Sequence, residues 1–229
     1  MTPGRPRVVA NFAITADGKV STRLKTPTGF TSPADKRRLQ EIRAMGDALL
    51  VGRNTLEIDN MGMRLSADDL RRKRQRKGLP PVPLRVVISN SGIINLHSKL
   101  FQNTDSRIVL FSTSKMKSSL RKKFPSHVDL IISKTKSVRL QDVLKILQTE
   151  YAVHTLICEG GPTLFRSLLQ ADVIDEIYIT IAPLIFGGKA AFTLTGIPEK
   201  FLPALRNFKL SHLRQIDQEL FLRYSSKKH

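Results

Sequence analysis

Tryptophan is absent from this chain, and cysteine occurs once, as Cys158. A single thiol cannot close an internal disulfide, so the core must hold the fold, and a lone cysteine suits a reducing cytoplasm. No apolar run approaches the roughly 18 residues of a membrane-spanning helix. Met1-Thr2-Pro3-Gly4-Arg5 does not open a signal peptide. A cytoplasmic protein with no membrane partner is therefore expected. Aromatic residues make up only 6% of the chain, and none interleaves with the basic clusters as a stacking platform for bases would require. Acidic residues are also scarce, 19 against 38 basic ones, which leaves a net charge of +19. That excess is expected to steer negatively charged small ligands rather than to bind nucleic acid.

What is present describes a compact α/β enzyme. With 229 residues and 41% hydrophobic content, the chain can bury a sizeable core. Short apolar runs at residues 8–13, 48–51, 84–88, 108–112 and 128–132 predict strands. Ser32 as N-cap, Pro33 at the first helical position and Asp35 in the first turn predict a helix to about Met45. Leu140, Val143, Leu144 and Leu147 mark a second amphipathic helix. Residues 208–216 and 219–224 read as a terminal antiparallel pair around Asp217-Gln218. The alternation predicts a central, mainly parallel sheet with an antiparallel C-terminal edge and helices on both faces. No internal repeat or low-complexity linker interrupts it, so residues 1–229 are expected to form one domain.

The stretch Cys158-Glu159-Gly160-Gly161-Pro162-Thr163-Leu164 carries the most chemistry. Apolar residues precede it, and Leu164, Phe165, Leu168 and Leu169 share a helical face after it, so the glycines mark a strand-to-helix turn. Two glycines let a ligand approach the backbone, and Pro162 fits the first helical turn. The free N–H groups of that turn form an anion site at the positive end of the helix dipole. Glu159 adds a carboxylate at the carboxyl end of the strand, where open α/β sheets bind ligands.

Further motifs stand in register with this one. They are Asn11-Phe12-Ala13-Ile14-Thr15-Ala16-Asp17-Gly18-Lys19, Thr31-Ser32-Pro33, and Asp47-Ala48-Leu49-Leu50-Val51-Gly52-Arg53-Asn54-Thr55 with Asp59. Ile177-Tyr178-Ile179-Thr180-Ile181-Ala182-Pro183 follows, leading into Leu184-Ile185-Phe186-Gly187-Gly188. In this order and spacing they resemble the reductase domain of riboflavin biosynthesis, the C-terminal half of the bifunctional deaminase/reductase. The resemblance implies a dihydrofolate-reductase-like fold, NADPH as hydride donor, a phosphorylated ribosylaminopyrimidine as substrate, and a homodimer. The cysteine-rich zinc signature of the deaminase half is missing, so no metal is expected and the chain resembles a stand-alone reductase.

The same resemblance implies roles for individual residues. Gly160, Gly161, Pro162, Thr163 and Leu164 would cradle the cofactor diphosphate. Thr55 and Asp59, one helical turn apart, would meet its ribose or nicotinamide amide, and Asn90 and Ser91 match a further polar cofactor contact. Lys19 and Glu159 are the candidate catalytic pair, serving the proton traffic that opening the sugar to an imine requires. Glu159 could also anchor the substrate amine, while Ser32 and Arg64 are candidates for its phosphate. Structural alternatives stay open for each. Ser32 doubles as a helix cap, Thr55 and Asp59 could be a capping pair, Asn90 and Ser91 an ordinary turn, Lys19 a solvated charge, and Glu159 a cap of neighbouring N–H groups. Arg53, where similar proteins often carry a small residue, is open between a contact to the NADPH 2′-phosphate and a solvated charge.

The basic run Arg71-Arg72-Lys73-Arg74-Gln75-Arg76-Lys77 reads as an exposed insertion over residues 70–78, either a loop or a short helix. Two other readings fit the residues. One is a reductase of the same fold acting on another pyrimidine, a pterin or a small carbonyl compound. The other is a basic binding protein without turnover.

Overall fold

The computed structural model describes residues 4–21, 30–189, 191–196 and 201–227. Met1, Thr2 and Pro3, part of the N-terminal stretch read above, lie outside the described residues. In chain order the elements are β1 (Arg7–Thr15), α1 (Pro33–Met45), β2 (Ala48–Gly52), α2 (Arg53–Asp59), α3 (Asp68–Gln75), β3 (Leu84–Ser89), α4 (Lys99–Gln102) and β4 (Ile108–Thr113). They continue as α5 (Ser118–Arg121), β5 (Val128–Ser133), α6 (Leu140–Tyr151), β6 (Thr155–Gly160), α7 (Pro162–Gln170), β7 (Glu176–Ala182), β8 (Phe208–Ile216) and β9 (Glu219–Ser226).

Among the described residues one sheet runs in the order β5-β4-β3-β2-β6-β1-β7-β9-β8. β1 to β7 are mutually parallel, whereas β9 runs antiparallel to β7 and β8 antiparallel to β9. The expected parallel sheet with an antiparallel C-terminal edge is thus what forms.

Strand residues alternate between two buried clusters. Val8, Ala10, Leu50, Val86 and Leu156 pack with α6 and α7 on one face. Val9, Leu49, Val51, Val87 and Ile157 pack with Ile42 of α1, Leu56 of α2 and Leu100 of α4 on the other. Each such fully buried aliphatic side chain contributes roughly 1.5–3 kcal/mol, against about 0–1 kcal/mol for an exposed ion pair. The two apolar layers, not the surface charges, therefore hold the fold.

The N-cap of α1 is Ser32, whose side chain accepts from Asp35 N at 3.2 Å. Most of the basic run folds as α3, and residues 70–78 are not exposed throughout. Leu70 joins a third apolar cluster with Leu65 and Val82. Arg74 is 2% exposed and donates to the carbonyls of Ala44, Gly46 and Pro80. Those acceptors include unpaired carbonyls at the end of α1, so a cation there answers the negative end of the helix.

Candidate functional site

The carboxyl ends of β1, β2, β3 and β6 open onto a cleft of about 620 Å³, the place where parallel α/β sheets present ligand sites. One wall is the β6–α7 turn. Gly161 is the N-cap of α7 with φ +61° and ψ 144°, a conformation that glycine adopts without steric cost. A Cβ at Gly161 would lie 2.3 Å from Thr55 Oγ1, so the bare backbone lets α2 and the turn meet. No side chain caps α7, and Pro162 has no N–H. The first-turn N–H groups of Thr163 and Leu164 have no carbonyl within the helix to bond, and both residues line the cleft.

Much of the remaining lining is polar. Thr55 and Asp59 reach the cleft from α2, and Asn90 and Ser91 from the loop after β3. Asn90 Oδ1 accepts from Val138 N at 2.8 Å, and its carbonyl accepts from Thr113 Oγ1 at 3.2 Å. Asn90 thereby fastens the ends of β3 and β4 to the start of α6. Burial raises the pKa of Asp59 above the ordinary carboxyl value, which biases it toward the protonated form.

Glu159 meets an unforeseen partner. The β2–β6 register steps from Leu50↔Cys158 to Val51↔Gly160, leaving Glu159 without a partner on β2. Its two carboxylate oxygens accept from Arg43 Nε and Nη2, each at 2.6 Å. The side chains are 4% and 8% exposed respectively, yet both residues line the cleft. Arg43 Nη1 also donates to the Arg64 carbonyl at 2.6 Å. Burial opposes the charge on Arg43, and attraction and hydrogen bonds from Glu159 outweigh it, so its pKa is raised. The result is a fixed, oriented ion pair in the cleft wall.

The candidates read from sequence divide by position. Thr55, Asp59, Asn90, Ser91, Glu159, Gly161, Pro162, Thr163 and Leu164 come together around the cleft, while Gly160, the last residue of β6, does not line it, and a Cβ there would meet Thr55 Cγ2 at 3.1 Å. Lys19, Ser32 and Arg64 lie off the cleft wall. Lys19 forms a β-bridge with Thr193. Ser32 N and Oγ donate to Glu219, in addition to the cap on α1. The Arg64 guanidinium is largely exposed, 3.6 Å from Asp105.

Sequence reasoning missed Arg43 and Asp35. With Leu39 they form an i, i+4, i+8 stripe of α1 along the cleft. That spacing was the available signal, although a basic residue in a last helical turn also reads as a plain dipole complement. Among the described residues, no group of three His, Cys, Asp or Glu side chains could hold a metal ion.

These features define an α/β protein with a nucleotide-sized cleft at the strand carboxyl ends, an anion-ready helix start and a buried carboxylate–guanidinium pair. The chain belongs to the RibD C-terminal domain family, matched over residues 6–222. A protein of Methanothermobacter thermautotrophicus is 30% identical over 231 residues, covering 97% of this chain and 99% of its own length. One from Archaeoglobus fulgidus is 29% identical over 209 residues, covering 91% and 94%. Both are named 2,5-diamino-6-ribosylamino-4(3H)-pyrimidinone 5′-phosphate reductase. The fold is shared with a crystal structure of a pyrimidine reductase-like protein from Corynebacterium diphtheriae. That match has a TM-score of 0.85 at 21% identity, covering 98% of this chain and 93% of the other.

Proposed function

We propose that this protein reduces the undeaminated 2,5-diamino-6-ribosylaminopyrimidinone 5′-phosphate to its ribitylamino counterpart in riboflavin biosynthesis, with NADPH as donor. The observation that carries this reading is the near end-to-end match to two reductases of that name. The cleft agrees with it. Its volume lies in the range of small-molecule and cofactor sites, and the free amides of Thr163 and Leu164 suit a diphosphate. Thr55, Asp59, Asn90 and Ser91 would hold the remaining polar groups of the nucleotide. NADPH, when bound, supplies the hydride.

The protein's own residues orient the reactants and place charge. Reduction at C1′ requires the furanose ring to open, so protons must move at the ring oxygen and the amine. The Arg43–Glu159 pair sets a carboxylate beside the cleft without leaving a buried charge unpaired. Asp59 is a second carboxyl in the cleft, its pKa raised by burial. A cytoplasmic homodimer belongs to the same proposal, with the exposed Leu210, Leu213 and Leu220 of the β8–β9 hairpin supporting the dimer.

The test is an assay of reduced-nicotinamide absorbance with the diaminopyrimidinone phosphate and, separately, its deaminated uracil counterpart. Faster turnover of the diamino compound is expected. Preference for the uracil compound would reverse the proposed order, and turnover of neither would remove the proposal. A binder without turnover would show NADPH-dependent thermal stabilisation and no absorbance change.

A further inference from the structure

Two cationic side chains line the cleft among the described residues, Arg43 and Arg53. Arg43 is engaged on all three nitrogens, by both Glu159 oxygens and the Arg64 carbonyl. Arg53 is not. It is the first residue of α2, directly after the end of β2. Its Nη1 donates to Glu57 Oε2 at 2.7 Å and its Nη2 to Asn54 Oδ1 at 2.5 Å. An arginine carries five N–H donors, so three remain. Glu57 is itself held on its other oxygen by Asn95 N at 3.2 Å, which fixes the guanidinium against the wall and disperses the carboxylate charge. The Arg53 and Glu57 side chains are 26% and 25% exposed, so the free donors can reach a ligand.

We infer that Arg53 contacts the 2′-phosphate of the nucleotide and sets the preference for NADPH over NADH, an inference that rests on the NADPH reading above. NADPH brings two kinds of anion to the cleft. The diphosphate is matched by the α7 amides, which are neutral donors at a helix start. The 2′-phosphate is a compact monoester that calls for a fork of charged donors. Arg53 is the remaining wall residue of that chemistry, two positions before Thr55 on the same helix.

Calorimetric titration separates the possibilities with three probes: 2′,5′-ADP, which has the 2′-phosphate without the diphosphate, ADP, which has the reverse, and 5′-AMP, which has neither. Wild type should bind 2′,5′-ADP more tightly than 5′-AMP. Arg53→Met should weaken 2′,5′-ADP binding by about tenfold or more, the size of a lost charged hydrogen bond, and leave ADP binding nearly unchanged. Arg53→Gln should behave alike, and Arg53→Lys should restore part of the affinity. A variant that keeps the wild-type preference for 2′,5′-ADP overturns the assignment while the NADPH reading stands. Equal losses for ADP and 2′,5′-ADP also overturn it, placing Arg53 on the diphosphate or in the fold. A wild type that shows no preference for 2′,5′-ADP over 5′-AMP fails the NADPH reading itself.

Discussion

Individual residues in this cleft carry more than one duty, which changes what a substitution reports. Glu159→Gln removes charge from a carboxylate whose oxygens both face Arg43. It therefore strands a buried guanidinium, and breaking such a pair costs about 3–5 kcal/mol. A fall in turnover in that variant alone cannot separate chemistry from folding. Glu159→Gln combined with Arg43→Met removes both charges and should recover most of the lost thermal stability. If the pair serves the substrate, turnover stays down by about 10²-fold or more, within the range of acid–base groups. Wild-type turnover in the stable double variant would exclude the pair from the reaction. Gly161 has a similar double nature. A Cβ there meets Thr55 Oγ1 at 2.3 Å, at a φ of +61°. Gly161→Ala should cost about 1–3 kcal/mol through backbone strain and weaken NADPH binding by at least about tenfold, the former read by thermal unfolding and the latter by titrating the folded fraction. Unchanged NADPH affinity would remove the turn from the cofactor site.

Elements differed in how legible they were, and the reason is the range of the forces that form them. α1 could be read to the residue because Ser32, Pro33 and Asp35 act within a turn of its start. The strands could be read because burial on both faces demands continuous apolar runs such as Ala48-Leu49-Leu50-Val51. The glycine turn was legible for the same local reasons. By contrast, the Arg43–Glu159 pair joins residues 116 positions apart, and nothing in either neighbourhood announces the other. Arg74 was hidden among look-alike basic residues, because only the position of the α1 end decides which of them is buried. Glu176 shows how such long-range pairs bind elements. It sits on β7 between Arg7 of β1 and Arg223 of β9. Burial alone would raise its pKa, but hydrogen bonds from Arg223 and Arg7 prevail and lower it. A carboxyl with a depressed folded pKa contributes stability that is present above its unfolded pKa and is lost as pH falls through the folded one. Denaturant midpoints should therefore decline below about pH 4, and Glu176→Gln should decline less steeply over that window. Parallel curves for the two proteins would show that the link between these strands is electrostatically idle.

On the scale of the whole molecule, charge and exposed apolar surface make separate demands. Every ion pair found among the described residues uses arginine and none uses lysine. The paired arginines are held by the fold, whereas the lysines, in no ion pair among the described residues, contribute an uncompensated field. Lys115, Lys117, Lys134 and Lys136 follow the carboxyl ends of β4 and β5, the same end of the sheet that opens the cleft. Raising ionic strength should thus lower kcat/KM for NADPH while kcat holds, and a flat salt profile would assign the lysines another purpose. The apolar surface points to assembly. β7 is paired along both edges by β1 and β9 and is buried or half-buried throughout, so it asks for no partner. The hairpin beyond it does. The register shift between Leu210 and His212 pairs Leu210 with Tyr224 and Leu213 with Leu222. Those partners are two residues apart, so both leucines lie on one face, together with Leu220. Leu210, Leu213 and Leu220 are 46%, 55% and 38% exposed, while Lys209, His212 and Arg214 guard the strand against edge-on pairing. A second copy related by a two-fold axis, packed on that leucine face, would cover it. Light scattering should then report a dimer, and Leu213→Lys should shift it toward monomer without unfolding the sheet. A wild-type species of 25.7 kDa at micromolar concentration would exclude the dimer and leave the leucine face exposed to solvent.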